Sequence, residues 1–258
     1  MVRRALVGSG LLILSLPALA TAQGGLRGVH AIRGGAAVAS ENAERRFTPA
    51  SVQKLLVAVA LLDELGPDHR IVTRVAAAGP VEGGVLEGDL VVIAAGDPSW
   101  SEEFFEDDSS TPLRGLARGV AARGVRLVTG DLVVDERGFP GRGYPTSRAA
   151  AELGLGYGTA TSGLAVDRNT VRIRIAPGSR VGEPGRLEAP DDVETSNRML
   201  TVSAHRDGRG SVEFLPVWGS DTVVVHGEDP ISEGPYEMAV AAPSPSRHAA
   251  SRFRQALK

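Results

Sequence analysis

The stretch Phe47–Arg74, FTPASVQKLLVAVALLDELGPDHRIVTR, decides how the rest of this 258-residue chain is read. From Ser51 to Leu65 the apolar residues Val52, Leu55, Leu56, Val57, Val59, Leu61, Leu62 and Leu65 occupy nearly every face of a helical wheel. That pattern predicts a helix buried on all sides rather than one lying on a surface. Thr48 or Ser51 can cap its start, Pro49 suits the first turn, and Gly66-Pro67 stops it. At its start stand Ser51 and Lys54, three residues apart and so projecting from one face.

A serine hydroxyl needs a base to become a nucleophile at neutral pH. A lysine supplies one if it loses its proton, and burial among apolar neighbours favours that loss. The helix N-terminus pushes the same way and offers N–H groups to a developing oxyanion. The bland reading stands beside this one: S-x-x-K arises by chance in many proteins, and the serine can be a plain N-cap. Composition weighs against chance. Only two of the 28 basic residues are lysines, Lys54 and the terminal Lys258. The single interior lysine therefore completes the motif in an otherwise lysine-free apolar helix, where a charge is costly unless it is used.

Outward from this helix, residues 1–22 read as a cleaved export signal, with an uncleaved anchor as the alternative. Arg3 and Arg4 form a basic start, Ala5–Leu19 an apolar run too short for a typical membrane span, and Ala18–Ala20 and Ala20–Ala22 are small-x-small cleavage sites. Its removal leaves 26 basic residues against 31 acids, net charge −5 instead of −3. A mildly acidic chain with 4% aromatic residues gives no reason to expect a nucleic-acid partner. With no cysteine, disulfides, thiolate nucleophiles, cysteine metal sites and a lipid-anchoring cysteine are excluded.

Gly28–Arg33 and Ala36–Ser40 flank Gly34-Gly35 as a hairpin. After Gly66-Pro67 the texture changes to short strand-like runs: Arg70–Ala77, Val85–Leu86, Leu90–Ala94, Arg126–Val128, Leu132–Val134, Val171–Ile175, Ser211–Val217, Thr222–Val225 and Tyr236–Ala241. Helices are predicted over Pro112–Arg123 and Ser244–Leu257. Asp107–Thr111 and Gly178–Asp192 read as exposed loops, Gly154-x-Gly156-x-Gly158 as a flexible one, and no internal repeat stands out. The fold class is α+β, with segments 1–22, 23–77, a β-rich region 78–240, and 241–258.

The ordered segments resemble class C low-molecular-mass penicillin-binding proteins, which are D-Ala-D-Ala carboxypeptidases and endopeptidases. Pro49-Ala50-Ser51-x-x-Lys54-Leu55 followed by Leu65-Gly66-Pro67-Asp68 matches their nucleophile segment. Gly88-Asp89-Leu90 through Gly96-Asp97-Pro98 is similar to "GDLxxxGxGDP", and Gly130–Asp135 with Phe139 to "GDVVxDxSxF". Tyr157-Gly158 through Asn169 resembles "YGAPxSALSVNxN", and Asp221–Gly227 a short "DxxxVxG" strand. The resemblance covers nearly the whole chain after the signal.

It implies a transpeptidase-like domain whose buried active-site helix is followed by a large inserted β-rich domain, with 241–258 returning to the catalytic domain. It implies Ser51 as the acylated nucleophile, Lys54 as its general base, and Asp135 near an acidic residue that meets the peptidoglycan stem peptide. The expected ligands are stem peptides and β-lactams, with no organic cofactor and no metal.

The family also uses S-x-N and K-T-G motifs. K-T-G is impossible here, because the only other lysine is the last residue. Ser196-Asn197 lacks the spacing, and Ser40-Glu41-Asn42 precedes the nucleophile. Losing one oxyanion donor typically costs about 100- to 1000-fold in rate. The expectation is thus an incomplete serine carboxypeptidase, or alternatively a truncated, non-catalytic fragment that binds cell wall. Other enzyme classes lack support: there is no phosphate-binding G-K-[ST], and His30, His69, His205, His226 and His248 show no metal-ligand spacing.

Overall fold

The computed structural model describes residues 26–105, 108–139, 143–144, 148–204, 211–217 and 219–258. The segment 1–22, read as an export signal, lies outside these residues. The chain divides after His69 into two units, and each is described by itself.

In the first unit, β1 (Val29–Arg33) and β2 (Ala36–Glu41) pair antiparallel around Gly34 and Gly35, whose φ values of 58° and 83° suit the tight two-residue hairpin turn. A 3-10 turn over Ala50–Val52 runs into α1 (Gln53–Leu65), which ends at Gly66 with φ 77°. Neither helix start carries a side-chain cap, so the expected caps Thr48 and Ser51 do not act as such. The expected burial of the helix is also absent. None of its residues is buried, and its large apolar side chains are 47–72% exposed. The physical reason is local: the described residues of this unit supply one two-stranded hairpin, itself exposed, and an all-round apolar helix needs cover on every side.

The second unit begins with β3 (Arg74–Ala78), β4 (Val81–Glu82), β5 (Val85–Leu86) and β6 (Asp89–Ile93). Next come α2 (Thr111–Ala122), β7 (Leu127–Val128) and β8 (Leu132–Asp135). Two small sheets result, in the orders β3-β6-β8 and β4-β5-β7. β5 pairs parallel with β7, and β6 parallel with β8, with α2 in the crossover that parallel pairing requires.

The register exposes a repeat that the sequence reading does not find. Val85–Ile93, VLEGDLVVI, lies beside Leu127–Asp135, LVTGDLVVD, with Val85 opposite Leu127 and Ile93 opposite Asp135. The Asp131 N–H bonds to the Asp89 carboxylate, 42 residues earlier. Gly88 and Gly130 stack at the crossing, 3.1 Å from N–H to carbonyl oxygen, and a Cβ at Gly130 would stand 2.3 Å from Asp89 Oδ1. The two glycines recur because the backbones touch there.

The remaining strands are β9 (Thr170–Ala176), β10 (Arg186–Glu188), β11 (Glu194–Val202), β12 (Glu213–Pro216), β13 (Thr222–Pro230) and β14 (Tyr236–Ala241). They form sheets β10-β9-β14 and β11-β13-β12, and α3 (Pro245–Ala256) follows. β9 alternates buried Val171, Ile173 and Ile175 with outward arginines, the period-2 pattern of a half-covered strand.

One apolar cluster joins Leu86, Leu90 and Val92 to Leu113, Ala117 and Val120 of α2 and to Ala249 and Phe253 of α3. A second joins β9 to Met199, Phe214, Val223 and Val225. The sequence reading ends the β-rich region at residue 240; α3 nonetheless shares its core with α2.

Three loop expectations are corrected. The 178–192 segment contains β10 and is tied down by the Gly178 N–H on Thr201 Oγ1 at 2.7 Å. Ser109, ahead of α2, is buried and donates to Asp167. Gly154 and Gly158 are packed rather than flexible, since a Cβ on either would strike a carbonyl oxygen, of Phe214 or of Glu152, at under 2 Å.

Candidate active site

The two candidate catalytic residues sit on one continuous helical run. Ser51 is the middle residue of the 3-10 turn and Lys54 the second residue of α1. The N–H of Gln53 reaches back to the carbonyls of Ala50 and Ser51, so the turn and the helix share hydrogen bonds. Ala50, immediately before the serine, has φ 42°, in the left-handed region that non-glycine residues seldom adopt. Both side chains are exposed, and neither makes a side-chain hydrogen bond among the described residues. What the arrangement offers is a hydroxyl and an amine one turn apart at a helix start, open to solvent.

Asp135 lies in the second unit, at the end of β8. Its carboxylate accepts the backbone N–H of Arg137 at 3.1 Å and the Arg137 guanidinium at two points, Nε at 2.9 Å and Nη2 at 2.6 Å. These hydrogen bonds, helped by the guanidinium charge, hold Asp135 down to a pKa of about 2, so it is ionised at neutral pH. A strand-end aspartate gripping the residue two places on is also ordinary turn chemistry.

The turn that carries this pair is firmly anchored. The Glu136 carboxylate accepts the N–H groups of Gly163 (2.5 Å) and Leu164 (3.2 Å), and its other oxygen accepts the Ser246 hydroxyl at 2.5 Å. The Phe139 N–H closes the turn onto the Glu136 carbonyl at 2.7 Å. Its ring lies where a Cβ on Gly96 or Gly163 would have to go. Sequence reasoning missed Glu136, because nothing near it in the chain predicts partners 27 and 110 residues away.

The other motif residues are mostly architectural. Asp97 accepts the Ser99 N–H and hydroxyl and the Trp100 indole N–H, shaping the Gly96-Asp97-Pro98 turn. Asp167, Arg168 and Asn169 have φ of 50°, 58° and 61°, and the buried Asn169 bonds to the Ala160 carbonyl and the Ser162 hydroxyl. Residues 96, 98, 159–162, 165, 168 and 169 line a shallow hollow of about 260 Å³.

Of the stray S-x-N candidates, Asn197 is held in β11 by the Gly185 carbonyl and the Met199 N–H, and Asn42 bonds the Arg27 carbonyl. His248 makes an unforeseen pair: its Nδ1 lies 2.6 Å from Asp192 Oδ2, and both side chains are largely buried. Burial pushes the Asp192 carboxyl up, but the hydrogen bond and charge of His248 outweigh it and hold the acid below its ordinary value. Among the described residues no group of three His, Asp or Glu stands close enough to hold a metal ion, and no helix is long and apolar enough to cross a membrane.

The chain is 31% identical over 260 residues to the D-alanyl-D-alanine carboxypeptidase of Actinomadura sp. (strain R39), covering 95% of this chain and 45% of that protein. It is 24% identical over 153 residues to D-alanyl-D-alanine carboxypeptidase DacB of Haemophilus influenzae, covering 59% of this chain and 30% of that one. The chain thus spans less than half the length of these curated relatives. The crystal structure of penicillin binding protein 4 (dacB) from Haemophilus influenzae superposes with TM-score 0.73 at 20% identity, covering 86% of this chain and 48% of that one; the fold is shared. A structure of the same protein complexed with a novel β-lactam superposes with TM-score 0.67. The profile of the D-Ala-D-Ala carboxypeptidase 3 (S13) family matches residues 12–258, and the chain belongs to that family.

Proposed function

We propose that this chain carries the nucleophile-bearing part of a serine-type D-alanyl-D-alanine carboxypeptidase or endopeptidase acting on peptidoglycan stem peptides. Ser51 attacks the carbonyl between the two D-alanines, and Lys54 takes the serine proton. The tetrahedral oxyanion collapses to an acyl-enzyme, and the terminal D-alanine leaves with a proton. Water then hydrolyses the ester and restores Ser51. β-Lactams acylate the same oxygen. The observation that carries the reading is the placement of Ser51 and Lys54 one turn apart at the start of α1. Asp135, ionised at the end of β8, serves as a substrate contact. Export through residues 1–22 delivers the protein to the cell-wall compartment.

A fluorescent penicillin tests this. Covalent label on Ser51 of the purified chain, lost in Ser51→Ala and slowed at least 100-fold in Lys54→Ala, is the expected result. Absence of label on the wild-type chain sinks the active-enzyme reading.

A second reading, a non-catalytic fragment that binds cell wall, draws on the exposure of α1 and on Ser51 and Lys54, which make no side-chain hydrogen bond among the described residues. Binding to purified sacculi that survives Ser51→Ala, without penicillin labelling, favours it.

A further inference from the structure

The parallel pairing of Val85–Ile93 with Leu127–Asp135 stops at an open edge. β8 ends the sheet β3-β6-β8 and β7 ends β4-β5-β7, so no strand flanks Leu127–Asp135 on its outer side among the described residues. The Leu90 N–H bonds to the Asp131 carbonyl and the Ala94 N–H to the Asp135 carbonyl. Backbone groups alternate sides along a strand, so the N–H and C=O of Leu132 and Val134 face away from β6. The Thr129 N–H bonds to the Leu86 carbonyl, which turns Val128 outward in the same way.

Burial falls off toward this edge. Leu90 and Val92 of β6 are buried, whereas Leu132 and Val134, opposite them in the register, are only partly covered. A groove of about 780 Å³ runs beside them, lined by Val128, Asp131 and Leu132 of the edge and by Ala250, Ser251 and Arg254 of α3. All of these residues belong to the second unit.

The pairing already made shows what such an edge accepts. Where β6 meets β8, the Gly88 carbonyl takes the Gly130 N–H at 3.1 Å and the Asp89 carboxylate takes the Asp131 N–H at 2.9 Å. Asp131 stands in its strand where Asp89 stands in the one before. Its own carboxylate is exposed, lines the groove and accepts no hydrogen bond among the described residues.

We propose that the outer edge of β7 and β8 is a strand-docking site that takes a third parallel strand, of the pattern apolar-apolar-x-Gly-Asp-apolar-apolar-apolar, from a partner polypeptide. The contact continues the one between β6 and β8. The incoming glycine N–H meets the Gly130 carbonyl, and the N–H after it meets the Asp131 carboxylate. The apolar positions that follow cover Leu132 and Val134, and the backbone satisfies the open edge. Glycine is required at the crossing because the backbones touch there, as they do at Gly88 and Gly130.

The test uses the full chain and a fluorescein-labelled peptide, LVTGDLVVD, which copies Leu127–Asp135. Saturable binding by fluorescence anisotropy is expected. In a parallel strand the N–H groups of the positions that copy Val133 and Asp135 point at β8, so N-methylating those two should abolish binding. N-methylating the positions that copy Leu132 and Val134 should leave it intact. Asp131→Ala should weaken the unmodified peptide about two- to tenfold, the range for one hydrogen bond, with the melting temperature of the free chain unchanged.

No saturable binding up to about 1 mM peptide overturns the site. Equal binding of the two N-methylated peptides shows adsorption on an apolar surface and overturns strand pairing. Sedimentation of the chain alone covers the remaining occupant: a dimer that Asp131→Ala weakens and the peptide disperses assigns the edge to a second copy, and the partner strand is overturned.

Discussion

At the scale of single residues, the acids of the second unit hold several different states. Glu136 serves three donors at once, so Glu136→Ala should destabilise the unit by about 1.5–3 kcal/mol, the cost of removing hydrogen bonds to a charged group. Urea unfolding measures it. Asp229 is the opposite case. It is fully buried, and neither carboxylate oxygen has a hydrogen-bond partner among the described residues. Burial, then the charge of Glu233, raises its pKa. Tyr236, itself pushed up to about 12 by burial and then by Asp229 and Glu233, feels the same acids. An acid whose pKa rises on folding is harmless below its unfolded value near 4 and destabilises the fold as pH climbs above that. Asp229→Asn should therefore match wild type near pH 3.5 and exceed it by about 1–3 kcal/mol at pH 7. Equal stability at pH 7 would show that the charge is compensated.

At the scale of elements, α1 and the repeated strands behave in contrasting ways. Side chains of α1 point into solvent, so Leu56→Glu or Leu62→Gln should shift thermal stability by no more than about 0.5 kcal/mol while reducing binding of a hydrophobic dye. A loss of several kcal/mol would mean the helix is covered. The strands tolerate far less. Gly130→Ala forces a Cβ against Asp89 Oδ1 and the Gly88 backbone, and overpacking of this kind costs about 1–3 kcal/mol. Calorimetric melting of the variant checks this.

The limits of reading elements from sequence are visible here. Ala36–Glu41, Val85–Leu86, Tyr236–Ala241 and both amphipathic helices were legible from alternation, punctuation and 3.6-residue spacing. β11 was not: its run Glu194–Val202 is mostly polar and pairs through backbone bonds to β13, which no side-chain pattern announces. The two GDLVV strings 42 residues apart were not read as a repeat, because their relation depends on a parallel register that only the paired strands reveal.

At the scale of the whole molecule, both apolar clusters belong to the unit after His69, and the described residues before it include no buried side chain. A chain comprising residues 70–258 should accordingly fold alone and melt cooperatively, as followed by circular dichroism. The His248–Asp192 pair ties α3 to the segment before β11 in that unit. Because the Asp192 pKa is lowered on folding, its contribution is present above the unfolded value near 4 and fades as pH falls through the folded value. His248→Ala should cost about 1.5–3 kcal/mol at pH 7, and that difference should shrink on acidification.

Sequence alone determined the α+β class, the hairpin, the helix at Ser51 and the Ser51–Lys54 spacing, since these follow from local periodicity and turn chemistry. It also carried the ordered motifs that place the chain in its family. Tertiary structure decided what local chemistry cannot: that the all-apolar helix stands exposed, that Glu136 is the anchor of the Asp135 turn, and that Arg137 occupies the acid's carboxylate. Burial and hydrogen-bond partnership are set by residues distant in sequence, so their physics becomes readable only once the chain has brought them together.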